Sequence, residues 1–421
     1  MKLFSFIHAS DIHLDTPFVN ISSSINEEYA TTLRTAPFTA LENLLEVAKL
    51  KHVDFVLLSG DIYNGEEKSI AGQIALQKFA RELYKEGIQL FIIAGNHDPL
   101  RTTKYQLEYP PNTVIFPTQY HVVNFVKHSK TLAYIHGISH SSKEESRKLV
   151  DYFTTDFDPN TFHIGMLHCT VSSIPQEKGK KQYVPCSIHE LQSKKLHYWA
   201  LGHIHTRNII AEYPHIVYSG NTQGIKSSEE GPRGVYYVEV SENKTISMKF
   251  IPTSAVIFDT ITVELEEEDT LDIFFIKIQE AIDSYVRVST CTSHYIFTLH
   301  FQGITELDRL LRAHPEERWI QDIETYLRKS FVFCIQNIRI DTQNIIPIED
   351  LRGREDLLGE TIRILESLQQ DTSRRAELFE KVKQQIGISS KVDALKEMDI
   401  SIEHILENVQ KECPYFFEER K

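Results

Sequence analysis

The sequence predicts an α/β protein in which two sheets pack face to face and helices cover their outer faces. Over the first 255 residues, short apolar runs alternate with longer stretches of helical spacing. Strands separated by helices of this length favour βαβ units with parallel pairing. In the second half of this region the apolar runs follow one another more closely, which indicates a second group of strands. Two sheets with helices outside would bury both groups.

The predicted strands are short apolar runs bounded by polar or turn-forming residues. In chain order they are Leu3–Ala9, Phe55–Ser59, Leu90–Ala94, Leu132–Ile138, Phe162–Leu167, Tyr198–Leu201, Ile216–Ser219 and Val235–Val240. A first helix from about Ala36 to Lys51 has leucines and alanines at helical spacing, and a second helix covers Ile70–Glu86. Ser187 and Glu190 have the spacing of a capping box, which predicts that a short helix begins there.

A break near Pro252 separates this first domain, residues 1–255, from the rest of the chain. Residues 256–347 combine strand-like and helical stretches, which predicts a small α+β domain. Its strands are predicted at Phe258–Leu265, Tyr295–Phe301 and Phe331–Ile340, and its helical stretches around Leu271–Tyr285 and Glu306–Lys329. Residues 348–421 are rich in charge and helical in spacing, so we expect a helical C-terminal region.

The composition is that of an ordinary globular protein, with 41% apolar and 25% charged residues. No apolar run is long enough to span a bilayer, and the short apolar start lacks the features of a secretory leader. The five cysteines are scattered and form no CxxC pair, which favours free thiols in a reducing compartment. These features predict a cytoplasmic protein that does not bind a membrane.

The net charge of −14 argues at first against a nucleic-acid partner. Its distribution weakens that argument, because residues 1–255 hold 25 basic and 26 acidic residues, a balance of −1. The remaining 20 basic and 33 acidic residues lie in 256–421, a balance of −13. The first domain is therefore close to neutral, and bound divalent cations would make a cleft there positive.

Five short motifs in the first domain carry side chains that bind metal ions. In order they are Asp11-Ile-His13, Gly60-Asp61, Gly95-Asn96-His97-Asp98, a lone His168 and Gly202-His203-Ile-His205. Each motif follows the end of a predicted strand. Because loops converge outside the carboxyl ends of strands in α/β sheets, we expect these five strand ends to form one site.

The residue types in these motifs are suited to two adjacent divalent metal ions. Asp61 at a strand end is the natural bridging carboxylate, since two ions in one site share such a ligand. Asp11, His13 and one of the later histidines would complete one ion, and the other ion would take the remaining ligands, namely Asn96, His168 and the other later histidine. Mixed oxygen and nitrogen ligands favour Mn²⁺, iron or Zn²⁺ over Mg²⁺ or Ca²⁺.

His97 is a candidate proton donor, because it adjoins a predicted ligand and is not needed as one. Two metal ions about 3.5–4 Å apart can activate water for attack on a phosphate ester. The leaving oxygen then needs a proton, which His97 could supply while Asp98 orients and charges its imidazole. The five motifs together therefore predict hydrolysis of phosphate esters, with His97 and Asp98 as catalytic residues.

The motifs resemble those of a known family. Ser10-Asp-Ile-His-Leu14, Ser59-Gly-Asp-Ile62, Gly95-Asn-His-Asp98 and Gly202-His-Ile-His205 are similar to motifs of the calcineurin-like metallophosphoesterases. Within that family they look like bacterial DNA repair exonucleases of the SbcD and YhaO type. The resemblance covers about residues 1–250 and implies a four-layer αββα sandwich. It also implies a capping domain, here 256–347, and a helical piece that docks on a partner, here 348–421.

The resemblance further implies a role for each ligand. One metal ion would be held by Asp11, His13, Asp61 and His205, and the other by Asp61, Asn96, His168 and His203. Manganese is the preferred metal of such nucleases, and His97 is their proton donor or phosphate stabiliser. Their partners are DNA and an ATPase with a long coiled coil. The function implied is a two-metal DNA exonuclease, with endonuclease action and a homodimer left open.

Two residues bear on substrate recognition. Many of these nucleases have Gly-Asp-x-x-His, but the position of that histidine is Asn64 here. Asparagine can donate a hydrogen bond but carries no titratable proton, so the departure bears on nuclease rate and end preference. Arg207 follows the Gly-His-x-His motif and is a candidate contact to a substrate phosphate, with a surface arginine of no special role as the alternative.

Two other functions are compatible with the same motifs. The first is a phosphatase or cyclic-nucleotide phosphodiesterase, although the additional C-terminal domains favour a larger substrate. The second is a protein whose main role is to assemble or regulate an ATPase, which the departure at Asn64 keeps open. A panel of substrates would separate the first from a nuclease, and binding to an ATPase would test the second.

Overall fold

The fold is described from a computed structural model of the chain. The residues described are 2–16, 27–65, 68–100, 107–154, 156–158, 160–172, 183–288, 294–327, 333–345, 351, 353–371, 373–374 and 377. Most of the predicted C-terminal region, including 378–421, lies outside this set.

The strands lie mostly in the first 265 residues. They are β1 (Lys2–Ala9), β2 (Phe55–Ser59), β3 (Gln89–Ile93), β4 (Thr113–Ile115), β5 (His121–Lys127), β6 (Lys130–Gly137), β7 (Phe162–His168), β8 (Tyr198–Gly202), β9 (Asn208–Glu212), β10 (His215–Tyr218), β11 (Gly234–Ser241), β12 (Ile246–Pro252), β13 (Val256–Leu265), β14 (His294–Ile304) and β15 (Phe333–Gln343).

The helices flank these strands in the chain. They are α1 (Glu27–Leu50), α2 (Ile70–Lys85), α3 (Ile188–Ser193), α4 (Leu271–Val288), α5 (Asp308–Ala313), α6 (Glu316–Tyr326) and α7 (Leu357–Gln370), with a 3₁₀ turn at Leu149–Tyr152. The predicted capping box is present, because the Ser187 hydroxyl accepts from the Glu190 amide and the Glu190 carboxylate accepts from the Ser187 amide. No described helix has the length and apolar character needed to cross a membrane.

Two six-stranded sheets carry the first part of the chain, with the strand orders β12-β11-β1-β2-β3-β4 and β5-β6-β7-β8-β10-β9. In the first sheet β1, β2, β3 and β4 run parallel, and β11 and β12 add antiparallel pairs. In the second sheet β6, β7, β8 and β10 run parallel, and β5 and β9 are antiparallel edges. The predicted parallel-rich α/β fold is confirmed.

Three buried apolar clusters account for four layers. Side chains from both sheets, including Phe6, Phe55 and Ile164, form the cluster between them. On the other face of the first sheet, leucines of α1 pack with Phe79 and Leu83 of α2. The outer face of the second sheet packs against α3 and the 3₁₀ turn. The order helix, sheet, sheet, helix is the predicted αββα sandwich.

Some elements differ from the sequence prediction. Helix α1 begins at Glu27, well before the predicted start, because the stretch ahead of Ala36 is helical without a continuous apolar face. The edge strands β4, β5, β9 and β12 were not predicted, since a short edge strand needs neither a long apolar run nor strict alternation. The predicted helical stretch 306–329 contains two helices, α5 and α6, because Pro315 cannot continue a helix.

The rest of the chain contains a third sheet, with the order β13-β14-β15. By the packing of its backbone the chain forms two compact units, described as Met1–Ile261, Gln279–Leu299 and Glu316–Ile338 for one and Thr262–Ile278, His300–Pro315 and Arg339–Lys421 for the other. Within the second unit, Lys277 pairs with Asp269 at 2.7 Å. The domain boundaries at 255 and 347 stay predictions.

A buried histidine pair between β6 and β7 makes the stability of the fold sensitive to pH. His136 Nε2 lies 2.9 Å from His163 Nδ1, and His136 Nδ1 lies 2.6 Å from the Tyr120 hydroxyl. Burial, and to a lesser degree His163, lowers the pKa of His136 from 6.5 to about 3. Between these two pH values only the unfolded chain takes up the proton. Stability is therefore complete above pH 6.5 and is lost as the pH falls below it.

We predict that His136→Gln reduces the acid sensitivity of the metal-free protein. Because of His136, the free energy of unfolding of the unaltered chain should be about 2 kcal/mol lower at pH 5 than at pH 7. Thermal unfolding followed at both pH values should show a smaller loss in the variant than in the unaltered chain. The matched control is His189→Gln, at an exposed position on α3, which should retain the full loss. Equal losses in all three proteins would contradict the assignment.

Candidate metal centre

The five motifs lie at neighbouring strand ends. Asp11, Asp61 and Asn96 follow the carboxyl ends of the parallel strands β1, β2 and β3 in the first sheet. In the second sheet, His168 is the last residue of β7 and His203 follows β8, its parallel neighbour. The alternation of strand and loop thus brings side chains from both sheets to one edge of the sandwich.

Asp11, His13 and His205 form the first of two groups of possible metal ligands. Their nearest ligand atoms all lie within 4.8 Å of one another. The Nε2 atoms of His13 and His205 are 3.2 Å apart, and His205 Nε2 is 3.9 Å from Asp11 Oδ1. Both Asp11 oxygens also accept from the His203 amide at 3.1 Å, which ties this group to the neighbouring motif.

Asp61, His168 and His203 form the second group, again within 4.8 Å. Asn96 belongs with it, because its Oδ1 is 3.1 Å from His168 Nε2 and 3.1 Å from His203 Nδ1. All seven residues predicted as ligands are therefore brought together in two adjacent groups. The structure also resolves which of the paired later histidines lies in which group.

Asp61 lies between the two groups. Its Oδ2 is 3.2 Å from His168 Nε2 in the second group and 4.0 Å from His13 Nε2 in the first. Its Oδ1 accepts from the His97 amide at 2.8 Å, which fixes the orientation of the carboxylate. This is the position that a bridging ligand would need.

The residues fit two divalent cations. Asp11, His13, Asp61, Asn96 and His168 are each at most 1% exposed, and their polar atoms point at one another. Buried polar groups cost free energy unless they are paired, and the ligand atoms of the second group lie close together, with His168 Nε2 at 3.1 Å from Asn96 Oδ1 and 3.2 Å from Asp61 Oδ2. In the first group the Nε2 atoms of His13 and His205 face each other at 3.2 Å, so at least one of them directs a lone pair into the space between them. A cation between such donors would satisfy them.

In the metal-free site His13 and His203 are in the neutral form that binds a metal, whereas His168 would have to release a proton when a metal binds. Burial would raise the pKa of Asp61, but the His168 imidazole holds it well below its ordinary value. Burial would lower the pKa of His168, but Asp61 raises it to about 9. Burial, assisted by neighbouring histidines, lowers the pKa of His13 and of His203 to about 3. These two imidazoles are therefore neutral at pH 7, as a metal ligand must be.

The backbone at the site is strained and closely packed. Asp11, His13 and Asp61 have φ values of 51°, 49° and 50°, a left-handed region that costs side-chain-bearing residues free energy. Gly60 has φ 91°, and a Cβ there would lie 2.4 Å from His168 Nδ1. At Gly95 a Cβ would lie 2.2 Å from Asp61 Oδ1. Only glycine at these two positions lets the ligands approach.

Comparisons with known proteins agree with this geometry. Residues 4–207 match the family described as calcineurin-like phosphoesterase. The chain is also 34% identical over 281 residues to YhaO of Bacillus subtilis (strain 168), an uncharacterized metallophosphoesterase, in a match covering 66% of this chain and 67% of that protein. The chain belongs to the calcineurin-like metallophosphoesterases. Members of this family use a dinuclear metal site, and the two groups of ligands are its candidate here.

Two more distant relatives of this metallophosphoesterase are named for DNA repair or nuclease activity. The DNA double-strand break repair protein Mre11 of Sulfurisphaera tokodaii is 25% identical over 214 residues, which cover 50% of this chain and 51% of that protein. The SbcD component of nuclease SbcCD of Escherichia coli (strain K12) is 21% identical over 276 residues, covering 58% and 66%. The chain thus matches about half to two thirds of the length of these relatives.

Glu229 is a residue of the metallophosphoesterase site that the sequence did not reveal. Its Oε1 is 2.6 Å from His205 Nδ1, and its Oε2 accepts from the Asn221 amide group and from the Ile225 main-chain N–H. Although burial opposes it, His205 lowers the pKa of Glu229 to about 2, so the carboxylate is charged at pH 7. A carboxylate on one imidazole nitrogen fixes the ring and directs the other nitrogen to a metal.

We predict that Glu229→Gln weakens metal binding by about 10–100-fold, because the amide cannot hold His205 as a charged acceptor does. Metal affinity measured by titration of the metal-free protein tests this. Glu230→Gln is the matched control, since the neighbouring carboxylate accepts from the Thr260 hydroxyl and does not contact His205. Unchanged affinity in Glu229→Gln, or an equal loss in the control, would contradict the role of Glu229.

His97 and Asp98 are placed differently from each other. The His97 imidazole lies 5.1 Å from that of His13 between ring centres, and its Nδ1 is 3.1 Å from the Asn64 main-chain oxygen. Asp98 does not orient His97 as predicted. Its Oδ2 accepts from the Ile62 amide and its Oδ1 from the Gly95 amide, so both oxygens hold the loops after β2 and β3.

The two predicted substrate residues make contacts outside the two ligand groups. Asn64 contributes a main-chain oxygen to His97, a contact that does not depend on its side chain. The Arg207 guanidinium lies 4.1 Å from the centre of the Phe250 ring and donates from Nη1 to the Pro232 oxygen. Neither residue belongs to the two ligand groups, and their contacts with substrate stay predictions.

Proposed function

We propose that this metallophosphoesterase is a two-metal-dependent phosphodiesterase that acts on DNA as an exonuclease in repair, with endonuclease action left open. The observation that carries the proposal is the pair of ligand groups with Asp61 between them. That arrangement serves hydrolysis of phosphate esters by two metals. DNA as the substrate is supported by the relatives Mre11 and SbcD, whose names state DNA repair and nuclease activity.

In this proposal one ion is held by Asp11, His13, Asp61 and His205 and the other by Asp61, Asn96, His168 and His203. The mixture of carboxylate, amide oxygen and imidazole supports Mn²⁺ as the working metal. When bound, the two ions neutralise charge on the phosphoryl oxygens and activate water. Removing metal with a chelator should abolish hydrolysis. The activity restored by Mn²⁺, Mg²⁺ or Zn²⁺, each added separately, would rank the three metals.

The protein groups around the ions supply the rest of the chemistry. Because His97 Nδ1–H donates to the Asn64 main-chain oxygen, a second proton on the ring lies on Nε2, and this imidazolium would pass the Nε2 proton to the leaving oxygen and become neutral. The burial of the ligands excludes bulk water, which strengthens each electrostatic contact. Asp98 acts as a positioning residue, because it holds the loops that carry Asp61 and Asn96.

The remaining parts of the proposal concern partners. Residues 256–347 would act as a capping domain, and residues 348–421 would dock on a coiled-coil ATPase. The relative SbcD is named as one component of the nuclease SbcCD, which supports an assembly of several chains. A cytoplasmic location and a homodimer are further parts of the proposal. Co-expression with a coiled-coil ATPase followed by gel filtration tests the assembly.

The decisive experiment uses the full chain with linear double-stranded DNA, single-stranded DNA and bis(p-nitrophenyl) phosphate, each with Mn²⁺ and with chelator. We expect Mn²⁺-dependent degradation of DNA from its ends and turnover of the small diester. Turnover of the small diester without any degradation of DNA would refute the DNA substrate and favour a small-molecule phosphodiesterase. Inactivity on every phosphate ester would instead favour a regulatory role.

A further inference from the structure

A small pocket adjoins the metal centre at His205. It has a volume of about 230 Å³, and its walls include Arg207, Arg233, Ser219, Gly220 and Phe250. Pockets for whole small molecules usually have about 300–1,000 Å³, so this one suits a single small group. His205 belongs both to its wall and to the first ligand group, which places the pocket directly beside the proposed reaction centre.

Two guanidinium groups make this pocket a candidate anion site. Arg233 is 9% exposed, and it donates from Nη1 to the His205 main-chain oxygen at 2.8 Å and from Nη2 to the Glu230 main-chain oxygen at 3.1 Å. Its Nε has no hydrogen-bond partner. Arg207 is exposed, and its guanidinium is supported by the face of the Phe250 ring. Both side chains are thus positioned, and Arg233 keeps one N–H without a partner.

The nearby carboxylates do not neutralise these arginines by direct pairing. Glu229 is engaged by His205, Asn221 and the Ile225 amide. The Glu230 carboxylate accepts from the Thr260 hydroxyl at 2.6 Å. Within the described part of the chain, neither Arg207 nor Arg233 forms an ion pair with a carboxylate. The pocket is thus lined by two guanidinium groups and by Glu230, whose carboxylate is held by Thr260, so its charge is positive on balance.

We propose that this pocket, Arg207 with Arg233, binds a second phosphate group of the substrate, one nucleotide away from the phosphodiester that is cleaved. Planar guanidinium groups bind phosphate oxygens by charge-assisted hydrogen bonds. A nucleic-acid strand that places one phosphate at the metal centre necessarily places another nearby, and the pocket at His205 is where it can be held. This inference rests on the proposed function and assigns its substrate a second anchoring point.

Binding of short dinucleotides tests the proposal. Titrations would use the Mn²⁺-loaded His97→Ala chain, in which cleavage is slowed, with thymidylyl-thymidine carrying no terminal phosphate, a 5′-phosphate or a 3′-phosphate. We expect one of the two phosphorylated forms to bind about tenfold more tightly than the unphosphorylated form. Adding Arg207→Gln should reduce this preference to about twofold or less. Arg233→Lys keeps the positive charge but loses the planar guanidinium group, so it should reduce the preference for the terminal phosphate only partly.

Arg81→Gln provides the control, because it removes one exposed guanidinium from α2, outside the pocket. It should retain the full preference for the terminal phosphate. No preference in the parent chain, or an unchanged preference in Arg207→Gln, would overturn the proposal. Turnover of bis(p-nitrophenyl) phosphate by the unaltered chain is measured separately. Its absence would count against the proposed function alone, since the binding preference is read without turnover.

Discussion

Asp61→Ala should lose metal and hydrolytic activity together. Asp61 Oδ2 is the carboxylate oxygen that lies near imidazole nitrogens of both ligand groups, so its removal takes a ligand from each proposed ion. We expect the metal content of the purified protein to fall from about two ions per chain to less than one. Turnover of bis(p-nitrophenyl) phosphate should fall to the level of buffer that contains the free metal.

This loss should not result from unfolding. Asp61 raises the pKa of His168 to about 9, so without the carboxylate the buried imidazole would become neutral and would not remain as an unpaired charge. Metal-free Asp61→Ala should therefore still unfold cooperatively, but at a lower temperature than the parent, because the variant loses the ion pair with His168 and leaves the His97 amide without its acceptor. Asp61→Asn is the matched control, since it keeps the size and one oxygen but loses the charge. An alanine variant that retains both ions would show that Asp61 does not bridge.

His97→Ala should separate catalysis from metal binding. The main-chain N–H of His97 holds Asp61 Oδ1, and alanine keeps that contact. The imidazole itself contacts the Asn64 oxygen and the ring of His13. We expect the metal content to stay near that of the parent while kcat falls by about 10²–10⁴-fold, as for the loss of a general acid.

Substrates with different leaving groups sharpen this test. An ester of p-nitrophenol leaves without needing a proton, so its hydrolysis should suffer less from His97→Ala than hydrolysis of an alkyl phosphodiester. Asp98→Asn is the comparison, because Asp98 accepts hydrogen bonds from main-chain amides and should affect stability more than leaving-group dependence. Equal metal loss in His97→Ala and Asp61→Ala would contradict the distinct roles of the two residues.

Much of the fold could be predicted from the sequence because its inner strands are continuous apolar runs. Strand β2 has the predicted bounds, and the other inner strands of the two six-stranded sheets differ by a residue or two at their ends. The edge strands were not predicted. Strand β4 has only three residues and β9 is largely exposed, so neither has a strong apolar pattern. The helical stretch predicted over 306–329 took no account of Pro315, which separates α5 from α6.

The site was predictable as far as its chemistry lies in local motifs. The ligands follow strand ends, and parallel strands necessarily bring such ends together. Glu229 could not be found this way, because it is 24 residues from His205 and only the tertiary fold joins them. The predicted contact between Asp98 and His97 was wrong for the opposite reason. Adjacency in sequence suggested a contact with His97, whereas one Asp98 oxygen accepts from the Gly95 amide of its own loop and the other from the Ile62 amide in the loop after β2.

The glycines beside the ligands limit how this centre could be transplanted. A designer who copied only the seven donor side chains onto another sheet would retain a Cβ at the positions of Gly60 and Gly95. Those atoms would occupy the space of His168 Nδ1 and Asp61 Oδ1, and the strands would have to separate. The smallest unit that can be grafted is therefore the seven donor residues together with the two glycines beside them.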